Sequence, residues 1–442
     1  MSDGSTSLSP SVSSTAAFGS RDFRLYQAAR CAVVIGAEAQ ALAVAWQVYQ
    51  ITHRAIDLGF TGLALFLPGL LFLLPAGHVA DRFDRRSVVL VCYSLQVVCT
   101  IILLVFAWTG LAQVWPIYLV LFFIGFGRAF SGPASSALIP HLVPQEHFVN
   151  AVTWGATIFQ IATISGPTIG GFLYTMSPWG GQAAHLAGGG VVYVFTLASL
   201  IWYLVLISML HVRIGRMEKK AVSKDVLLAG VHYVFKTPVL LGSITLDLFA
   251  VLLGGAVALL PIFAGSILHI GPRGLGLLRA APGVGALAVS LWLTFHPMRR
   301  GAGVRMLACV ALFGAATIAF GLSHSLYLSL AALLITGSAD MVSVVIRSSI
   351  LQLATPPEMR GRVSAVNSLF LGASNELGEF ESGLTAQWFG AVRAVVLGGV
   401  GSLMVTGLWA VFFPALRQVD SLTAEALLPA QVEENAEETF QL

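Results

Sequence analysis

The sequence predicts an all-α integral membrane protein, with twelve transmembrane helices in two pseudo-symmetric six-helix bundles. The first observation is composition: of 442 residues, 57% are hydrophobic and only 10% are charged, with a mean hydropathy of +0.84. A soluble globular chain has about 25% charged residues, so most of this surface must face lipid. The second observation is a series of bilayer-length apolar segments, and the third is a repeat between the two halves. Soluble, disordered and fibrous classes are thereby excluded.

Twelve apolar segments of about 20 residues, the length needed to cross a bilayer, follow one another from Arg24 to residue 416. They are centred near residues 38, 68, 98, 125, 162, 200, 252, 284, 312, 338, 375 and 404. The fifth and eleventh are the most polar or glycine-rich. We therefore predict twelve membrane spans.

The positive charges of the loops fall almost entirely on one side of the predicted membrane. One side receives only Arg54, Arg273 and Arg393. The other receives Arg21, Arg24, Arg82, Arg85, Arg86, Arg213, Arg216, Lys219, Lys220, Lys224, Lys236, Arg299, Arg300, Arg305, Arg360, Arg362 and Arg417. Because cationic loops stay in the cytoplasm, we expect a multi-pass protein of the bacterial inner (plasma) membrane with both termini cytoplasmic.

Three dipeptides repeat at one shared offset of 214 residues and at equivalent places: Pro68-Gly69 with Pro282-Gly283, Arg85-Arg86 with Arg299-Arg300, and Ala151-Val152 with Ala365-Val366. A shared offset indicates duplicated bundles, an architecture of secondary transporters. The predicted organisation is a flexible N-terminal tail (1–20), an N-terminal bundle (21–212), a basic cytoplasmic linker (213–236), a C-terminal bundle (237–416) and an acidic cytoplasmic tail (417–442).

The loop after the second span contains Gly77, Asp81, Arg82, Arg85 and Arg86. Gly77 would allow a neighbouring helix to approach closely, and Asp81 offers a carboxylate to a helix N-terminus or an arginine. Such a cluster could form in one conformation and break in the other, biasing a two-state equilibrium. We call these five residues the latch. The alternative is a cationic loop that only fixes topology.

This loop resembles the signature of the major facilitator superfamily, and the resemblance extends over residues 21 to 416. Within that superfamily the chain is similar to the branch that contains the enterobactin exporter and drug-efflux proteins. The segments that suggest the branch are Phe66-Leu67-Pro68, Pro75-Ala76-Gly77, Arg128-Ala129, Gly132-Pro133-Ala134 and Arg360 to Asn367. The resemblance implies the twelve-helix fold and a transport function.

Gly166, Pro167, Gly170 and Gly171 in the fifth span resemble the core of the superfamily's antiporter signature, although Ala162 replaces its usual glycine. This pattern favours export over uptake. The simpler interpretation is a kinked helix whose small residues pack against a neighbour.

Ionisable residues within the spans are costly there and are candidates for function. Arg128 matches an arginine that the resemblance links to proton coupling, and it could instead be a structural counter-charge. Glu38 and Asp247 lie on spans that line the central cavity in this fold, and either could exchange protons or attract a cationic substrate. Arg279, Asp340 and Arg347 are further candidates, with Asp340 and Arg347 able to neutralise each other along one helix face.

The eleventh span has three carboxylates within two turns, at Glu376, Glu379 and Glu381. Glu376 and Glu379 share a helix face because they are three residues apart. Three unpaired carboxylates cannot all be charged in lipid, so we expect these two to face a wet cavity. A solvated helix end is the alternative.

Metal, nucleotide and enzymatic chemistry find no support in the sequence. Its histidines fall mostly in predicted loops, and Cys31, Cys92, Cys99 and Cys309 lie inside apolar stretches, as buried thiols do. No metal, nucleotide or hydrolase motif occurs in a plausible context. We expect no enzyme, metal or cofactor, and no nucleic-acid or nucleotide partner.

The sequence thus predicts a secondary active exporter, driven by proton antiport and alternating access, for an amphipathic small molecule such as a siderophore or drugs. We expect a monomer whose partners are the small-molecule substrate, protons and the lipid bilayer. Trp46, Trp154 and Trp292 could stack on the cargo. The alternatives are an importer or uniporter of a nutrient or lipid, and a transport-dead sensor.

Overall fold

The computed structural model describes residues 15–136, 138–176, 184–211, 224–296, 298 and 300–422, and this part of the chain is helical without strands. The N-terminal half contains α1 (Arg21–Thr52), α2 (Ala55–Leu71), α3 (Leu73–Arg82), α4 (Arg85–Thr109), α5 (Trp115–Ser136), α6 (Phe148–Thr175) and α7 (Ala184–Ser208). The C-terminal half contains α8 (Lys224–Lys236), α9 (Pro238–Gly254), α10 (Leu260–Ile262), α11 (Gly271–Phe295), α12 (Ala302–Gly321), α13 (Leu326–Leu353), α14 (Pro357–Phe389), α15 (Ala391–Phe412) and α16 (Pro414–Arg417).

Helices occupy all twelve predicted span positions, which confirms the all-α membrane fold. Ten helices in the described part are long and apolar enough to cross a bilayer, and the fifth predicted span is among them. The second span is divided at Phe72 into α2 and α3, four residues after Pro68. The eleventh, α14, does not reach the hydropathy of a typical span, because its carboxylates lower it.

Large apolar side chains cover the outer surface of the helices. Val91, Val149 and Val411 are each about 70% exposed, and Trp388 and Phe412 are similarly exposed. A soluble protein rarely exposes contiguous apolar surface of this extent. The exposed side chains therefore mark the surface that contacts lipid.

Each half packs mainly within itself. In the N-terminal half α1 packs against α6 and α7, and α4 against α5 and α7; in the C-terminal half α12 packs against α13 and α15, and α9 against α14 and α15. Two extensive contacts join the halves, α2 with α14 and α6 with α11. The division into bundles 21–212 and 237–416 stays a prediction.

In the described residues, the contacts between the two halves extend from one end to the middle of the helices, where Gln160 Nε2 donates to Gly283 O at 3.4 Å. Near the loops that contain Arg54, Arg273 and Arg393, a Cβ at Gly59 would lie 3.0 Å from Phe380 Cα, and one at Gly383 would lie 2.9 Å from Ala55 O. We call this the opposite end. Towards the other end of the same helices, Gly69 and Gly372 have no atom within 4 Å of such a Cβ position.

We call that other end of the molecule the basic end, because the arginine-rich loops lie there. The two halves therefore meet at the opposite end and diverge towards the basic end, which gives an opening between them.

Three predicted terminal and linker segments need separate comment. Residues 15–20, predicted as part of a flexible tail, instead pack on the molecule: the Ser20 hydroxyl donates to Leu142 O at 2.6 Å, and Ala17 is buried. Of the acidic tail, Asp420 is also fixed, since its carboxylate accepts from Gly301 N at 2.8 Å. Residues 1–14, 212–223 and 423–442 lie outside the described residues, and α8 forms the end of the predicted linker.

The seventh span is interrupted in its middle. It begins as α9, ends at Gly254, and continues through a 3₁₀ turn (Ala256–Leu259), α10 and a short π-helix (Phe263–Ile267). A helix that ends inside the membrane leaves its last carbonyl groups without intrahelical donors. The seventh span thus brings backbone acceptors to membrane depth.

Candidate functional site

Glu376 and Glu379 face the N-terminal half from α14. Glu379 Oε2 would lie 2.6 Å from a Cβ at Gly62 of α2, and Glu376 Oε2 would lie 3.3 Å from it. The missing side chain at Gly62 therefore makes room for both carboxylates at the contact between α2 and α14. The geometry places the two residues on one face of α14, at the interface between the halves. That they face a wet cavity stays a prediction.

Three further charged residues approach this pair from other helices. Arg128 of α5 and Arg279 of α11 lie within electrostatic range of Glu376, and Glu38 of α1 lies within range of Glu379. None of the five makes a side-chain hydrogen bond or ion pair to another described residue at short range. We call Glu38, Arg128, Arg279, Glu376 and Glu379 the central charged cluster.

A small, partly open space, the interface cavity, lies between the halves and has a volume of ≈ 60 Å³. Glu379 and Arg279 contribute its charged groups, and Thr61 and Gly62 lie on the α2 side. A space that holds a water needs about 10–15 Å³ and polar partners. The interface cavity therefore has room for a few waters beside Glu379, and none for a drug-sized molecule.

Asp247 has a different environment from the one we expected. It pairs with Arg347 of α13, and both side chains are almost fully buried. We had expected Arg347 to neutralise Asp340, seven residues away on the same helix. The partner is instead across the α9–α13 contact, because a buried cation needs a counter-charge at close range. A role for Asp247 in coupling stays a prediction.

The remaining acidic residues separate into different surroundings. Glu381 accepts a hydrogen bond from the Thr385 hydroxyl at 2.6 Å on its own helix, away from the Glu376 and Glu379 face. Asp340 has no hydrogen bond or ion pair to the rest of the described chain, and it lines a second cavity inside the C-terminal half.

The predicted aromatic residues do not form one stacking surface. Trp46 is buried in the core of the N-terminal half, with its ring 5.9 Å from that of Tyr49. Trp154 packs edge-on against Phe18, and Trp292 is exposed and stacks on His296. The prediction that Trp46 stacks on cargo is therefore wrong, because its ring faces helix neighbours.

The hydrogen bonds that the structure gives for Arg86 and the contact of Arg85 with His141 lie within the N-terminal half. Apart from its chain neighbours and its own helix backbone, no described atom lies within 4 Å of the position that a Cβ at Gly77 would occupy. Arg86 donates to Leu210 O at 3.1 Å and to Ser208 O, at the end of α7 in its own half, and Arg85 lies 3.5 Å from a nitrogen of His141. Arg82 is exposed, and the side chain of Asp81 lies outside the described residues. The latch function stays a prediction.

The glycines of the antiporter-like segment lie at two helix contacts. A Cβ at Gly166 would lie 2.5 Å from Glu38 Cβ, and one at Gly170 would lie 2.7 Å from Ala39 Cα, both on α1. Gly171 and Pro167 face α11 of the other half, near Pro272 and Gly276. The helix continues through Pro167 from Phe148 to Thr175. These residues permit close approach, and their role in antiport stays a prediction.

Two cations near the site, Arg30 and Arg279, were not predicted as main site residues. Arg30 on α1 lies over the Phe159 ring, 5.3 Å from its centroid, and both Arg30 and Arg128 lie near Tyr93. Arg279 was only a secondary candidate, yet it belongs to the central charged cluster. Neither has a sequence signal of its own, apart from being an arginine inside an apolar segment.

Comparison with known proteins identifies the family. Residues 12–439 match the family model described as transmembrane secretion effector. The enterobactin exporter EntS of Escherichia coli O1:K1 / APEC is 26% identical over 390 residues, which cover 86% of each chain. The same exporter from Citrobacter koseri matches with the same identity and coverage.

Solved structures with this fold transport different cargoes. A bacterial homologue of the human lysosomal transporter Spinster, described as inward-facing and occupied, has a TM-score of 0.68 at 15% identity and covers 90% of this chain and 96% of its own. A D-xylose–proton symporter has a TM-score of 0.67 at 14% identity, covering 89% and 98%. With the family match and the twelve helical spans, these likenesses show that the chain is a multi-pass membrane transporter of the major facilitator superfamily and belongs to its transmembrane secretion effector family.

Proposed function

We propose that this transporter is a proton-driven antiporter that exports an amphipathic small molecule by alternating access. The observation that supports the proposal most directly is the central charged cluster. Its three carboxylates and two arginines come from both halves, and two of the carboxylates, Glu376 and Glu379, lie where α2 contacts α14. A charge change at this place alters the attraction between the halves, which is what coupling requires.

The interface cavity beside Glu379 has room for a few waters, which would carry protons to this carboxylate. A charged carboxylate at membrane depth is costly, so Glu379 is stabilised there either by a proton or by the nearby Arg279. Exchange between the protonated form of Glu379 and the charged form beside Arg279 would change the net charge at the contact between the halves. In this proposal Glu379 is the main coupling residue, with Glu38 and Glu376 contributing to the same field.

Export and the cargo class rest on the relatives. The curated relatives that match over 86% of their length are enterobactin exporters. We therefore propose outward transport of a siderophore or of hydrophobic drugs. The arginines at positions 30 and 128, beside Phe159 and Tyr93, would suit an aromatic or anionic part of such a cargo.

The proposed location is the bacterial inner membrane with both termini cytoplasmic, and the transporter is proposed to act as a monomer. The basic end then faces the cytoplasm, so the opening between the halves accepts cargo from inside the cell. Reporter fusions after residue 14 and after residue 422 test this orientation. Reporters active on opposite sides of the membrane would contradict it.

The test of the function is flux from proteoliposomes with an imposed pH gradient. The cargoes are enterobactin and the dye ethidium, and the variants are Glu379→Gln and Glu381→Gln, the latter a carboxylate on the same helix that is bonded to Thr385. We expect gradient-dependent flux of at least one cargo in the wild type and in Glu381→Gln, and flux at the level of empty liposomes in Glu379→Gln. Flux that persists unchanged after a protonophore dissipates the gradient would rule out antiport.

A further inference from the structure

A second and larger cavity lies inside the C-terminal half. It has a volume of ≈ 280 Å³, close to the lower limit of roughly 300 Å³ for pockets that hold small organic ligands. We call it the C-terminal cavity. Its walls come from the interrupted seventh span and from α11, α12, α13 and α14. Most of the wall is apolar, including the rings of Phe313 and Phe320.

The polar groups of this cavity share one electrical sign. Asp340 and Glu379 supply two carboxylates, and Thr336 and Asn375 are neutral. No lysine, arginine or histidine is among the described residues that line it. Asp340 also has no hydrogen bond or ion pair to any described residue, so its charge is left uncompensated by the protein.

The helix end at Gly254 adds to this negative field. α9 ends there, and Gly254 and Gly255 belong to the cavity wall. The C-terminus of a helix has a partial negative charge, and its last carbonyl oxygens lack intrahelical donors. Interrupted helices present such ends to cations in other transporters. Carboxylates and helix end thus act together on any group in the cavity.

We propose that the C-terminal cavity is a binding subsite for an organic ammonium group attached to an apolar or aromatic body. The ammonium group would lie against Asp340 and Glu379, and the apolar body against Phe313 and Phe320. A bare metal ion would leave the apolar wall unfilled, and the described residues contain no cluster of three metal-binding side chains. An anionic group would be repelled from this cavity.

Glu379 connects this subsite with the interface cavity, because it lines both spaces. A bound ammonium group would stabilise the charged form of Glu379, and a proton would remove that attraction. Cargo and proton therefore compete for one carboxylate. This inference rests on the proposed function and adds to it a subsite for cationic cargoes, such as ammonium-containing drugs, and the residue at which competition occurs.

The test is equilibrium dialysis of the purified full chain in detergent, without any gradient. The probes are radiolabelled benzyltrimethylammonium and, as an anion of similar size, phenylacetate. We expect the wild type to bind the cation and not the anion. Asp340→Asn should weaken cation binding about tenfold, equivalent to about 1.4 kcal/mol, whereas Asp340→Glu should retain it and Glu381→Gln should match the wild type.

A second measurement guards against misfolding of Asp340→Asn. In the Thr336→Cys variant the new thiol lies in the cavity wall, and benzyltrimethylammonium should slow its reaction with N-ethylmaleimide. Cation binding that is unchanged in a folded Asp340→Asn, no protection of the thiol, or full displacement of the probe by millimolar Na⁺ would each overturn the proposal. Because binding is measured without flux, these results are independent of those that test export.

Discussion

Arg347 and Asp247 form an ion pair across the contact between α13 and α9, and both side chains are almost completely buried. Neither lines the two cavities described above. Their position inside the C-terminal half indicates that the pair holds α9 against α13, next to the place where the seventh span is interrupted.

Substituting one partner of this ion pair should destabilise the protein more than replacing both partners with apolar residues. Arg347→Ala leaves Asp247 buried without a partner, and such single losses cost about 3–5 kcal/mol, whereas replacing both charges by apolar groups is often neutral. We expect a large drop in melting temperature for Arg347→Ala and recovery in the double variant Arg347→Leu with Asp247→Leu. Arg305→Ala, at an exposed position, is the control. A double variant as unstable as the single one would show that the pair is not the cause.

Gly62 should matter for transport because of what lies beside it. A Cβ at Gly62 would lie 2.6 Å from Glu379 Oε2, so Gly62→Ala must displace the carboxylate. The matched control is Gly69→Ala on the same helix, where a Cβ meets open space. We expect gradient-driven flux to fall strongly only in Gly62→Ala, with both melting temperatures close to the wild type. Equal activity of the two variants would contradict the assigned place of Glu379.

The opposite end of the molecule should open more readily without one hydroxyl contact. The Tyr49 and Ser266 hydroxyls are hydrogen-bonded across the two halves. Losing such a bond costs about 1 kcal/mol, which shifts a two-state equilibrium about fivefold. Tyr49→Phe should therefore populate longer distances between spin labels at residues 54 and 327, measured by pulsed electron paramagnetic resonance.

The control for that variant is Tyr174→Phe, since the Tyr174 hydroxyl donates to Gln50 Oε1 at 3.0 Å inside the N-terminal half. It should leave the distance distribution unchanged. A shift of equal size in both variants would mean that the effect does not come from the contact between the halves.

Two arginines of the latch should respond differently to substitution. Arg86 donates to two carbonyl groups at the end of α7, so Arg86→Ala should cost about 2 kcal/mol of stability. Arg82 is exposed and has no partner among the described residues, so Arg82→Ala should keep the melting temperature and reduce flux. Melting curves and proteoliposome flux on both variants check this. Normal flux in Arg82→Ala would remove Arg82 from the latch.

Asp420 should stabilise the end of the chain through the first turn of α12. Its carboxylate and its carbonyl accept from Gly301 N and Ala302 N, and Val419 O accepts from Gly303 N. Asp420→Ala should therefore cost about 1 kcal/mol, as the loss of a helix cap does. Differential scanning fluorimetry of Asp420→Ala measures this loss, and a melting temperature equal to that of the wild type would contradict this account.

The sequence was sufficient for the fold because hydropathy and loop charge are local properties. The lengths of the apolar segments predicted the positions of all twelve helices. Pro68 lies just before the interruption at Phe72. The interruption of the seventh span was not predicted, since Gly254-Gly255 resembles many glycine pairs in continuous helices. Residues 15–20 were misassigned to a flexible tail, because their contacts with Leu142 and Asn150 are distant in sequence.

The candidate site was only partly predictable for the same reason. The three-residue spacing of Glu376 and Glu379 predicted that they share a helix face. Glu38 and Arg128 were predicted as candidates because they are ionisable residues within apolar spans. The partner of Asp247 and the position of Arg279 depend on how helices pack across the molecule. Trp46 shows the opposite error, in which an aromatic residue expected near cargo fills the core instead.

Where main chains of the two halves approach each other most closely, the residues are glycines: Gly59, Gly171, Gly276 and Gly383. A side chain larger than hydrogen at one of these positions would push the main chains apart at that place. Elsewhere the halves are held by apolar contacts, such as that between the Phe60 and Phe380 rings, and by polar contacts, such as that between Arg273 and Thr175. Single substitutions at these glycines can therefore change how the halves separate at the opposite end, without repacking either bundle.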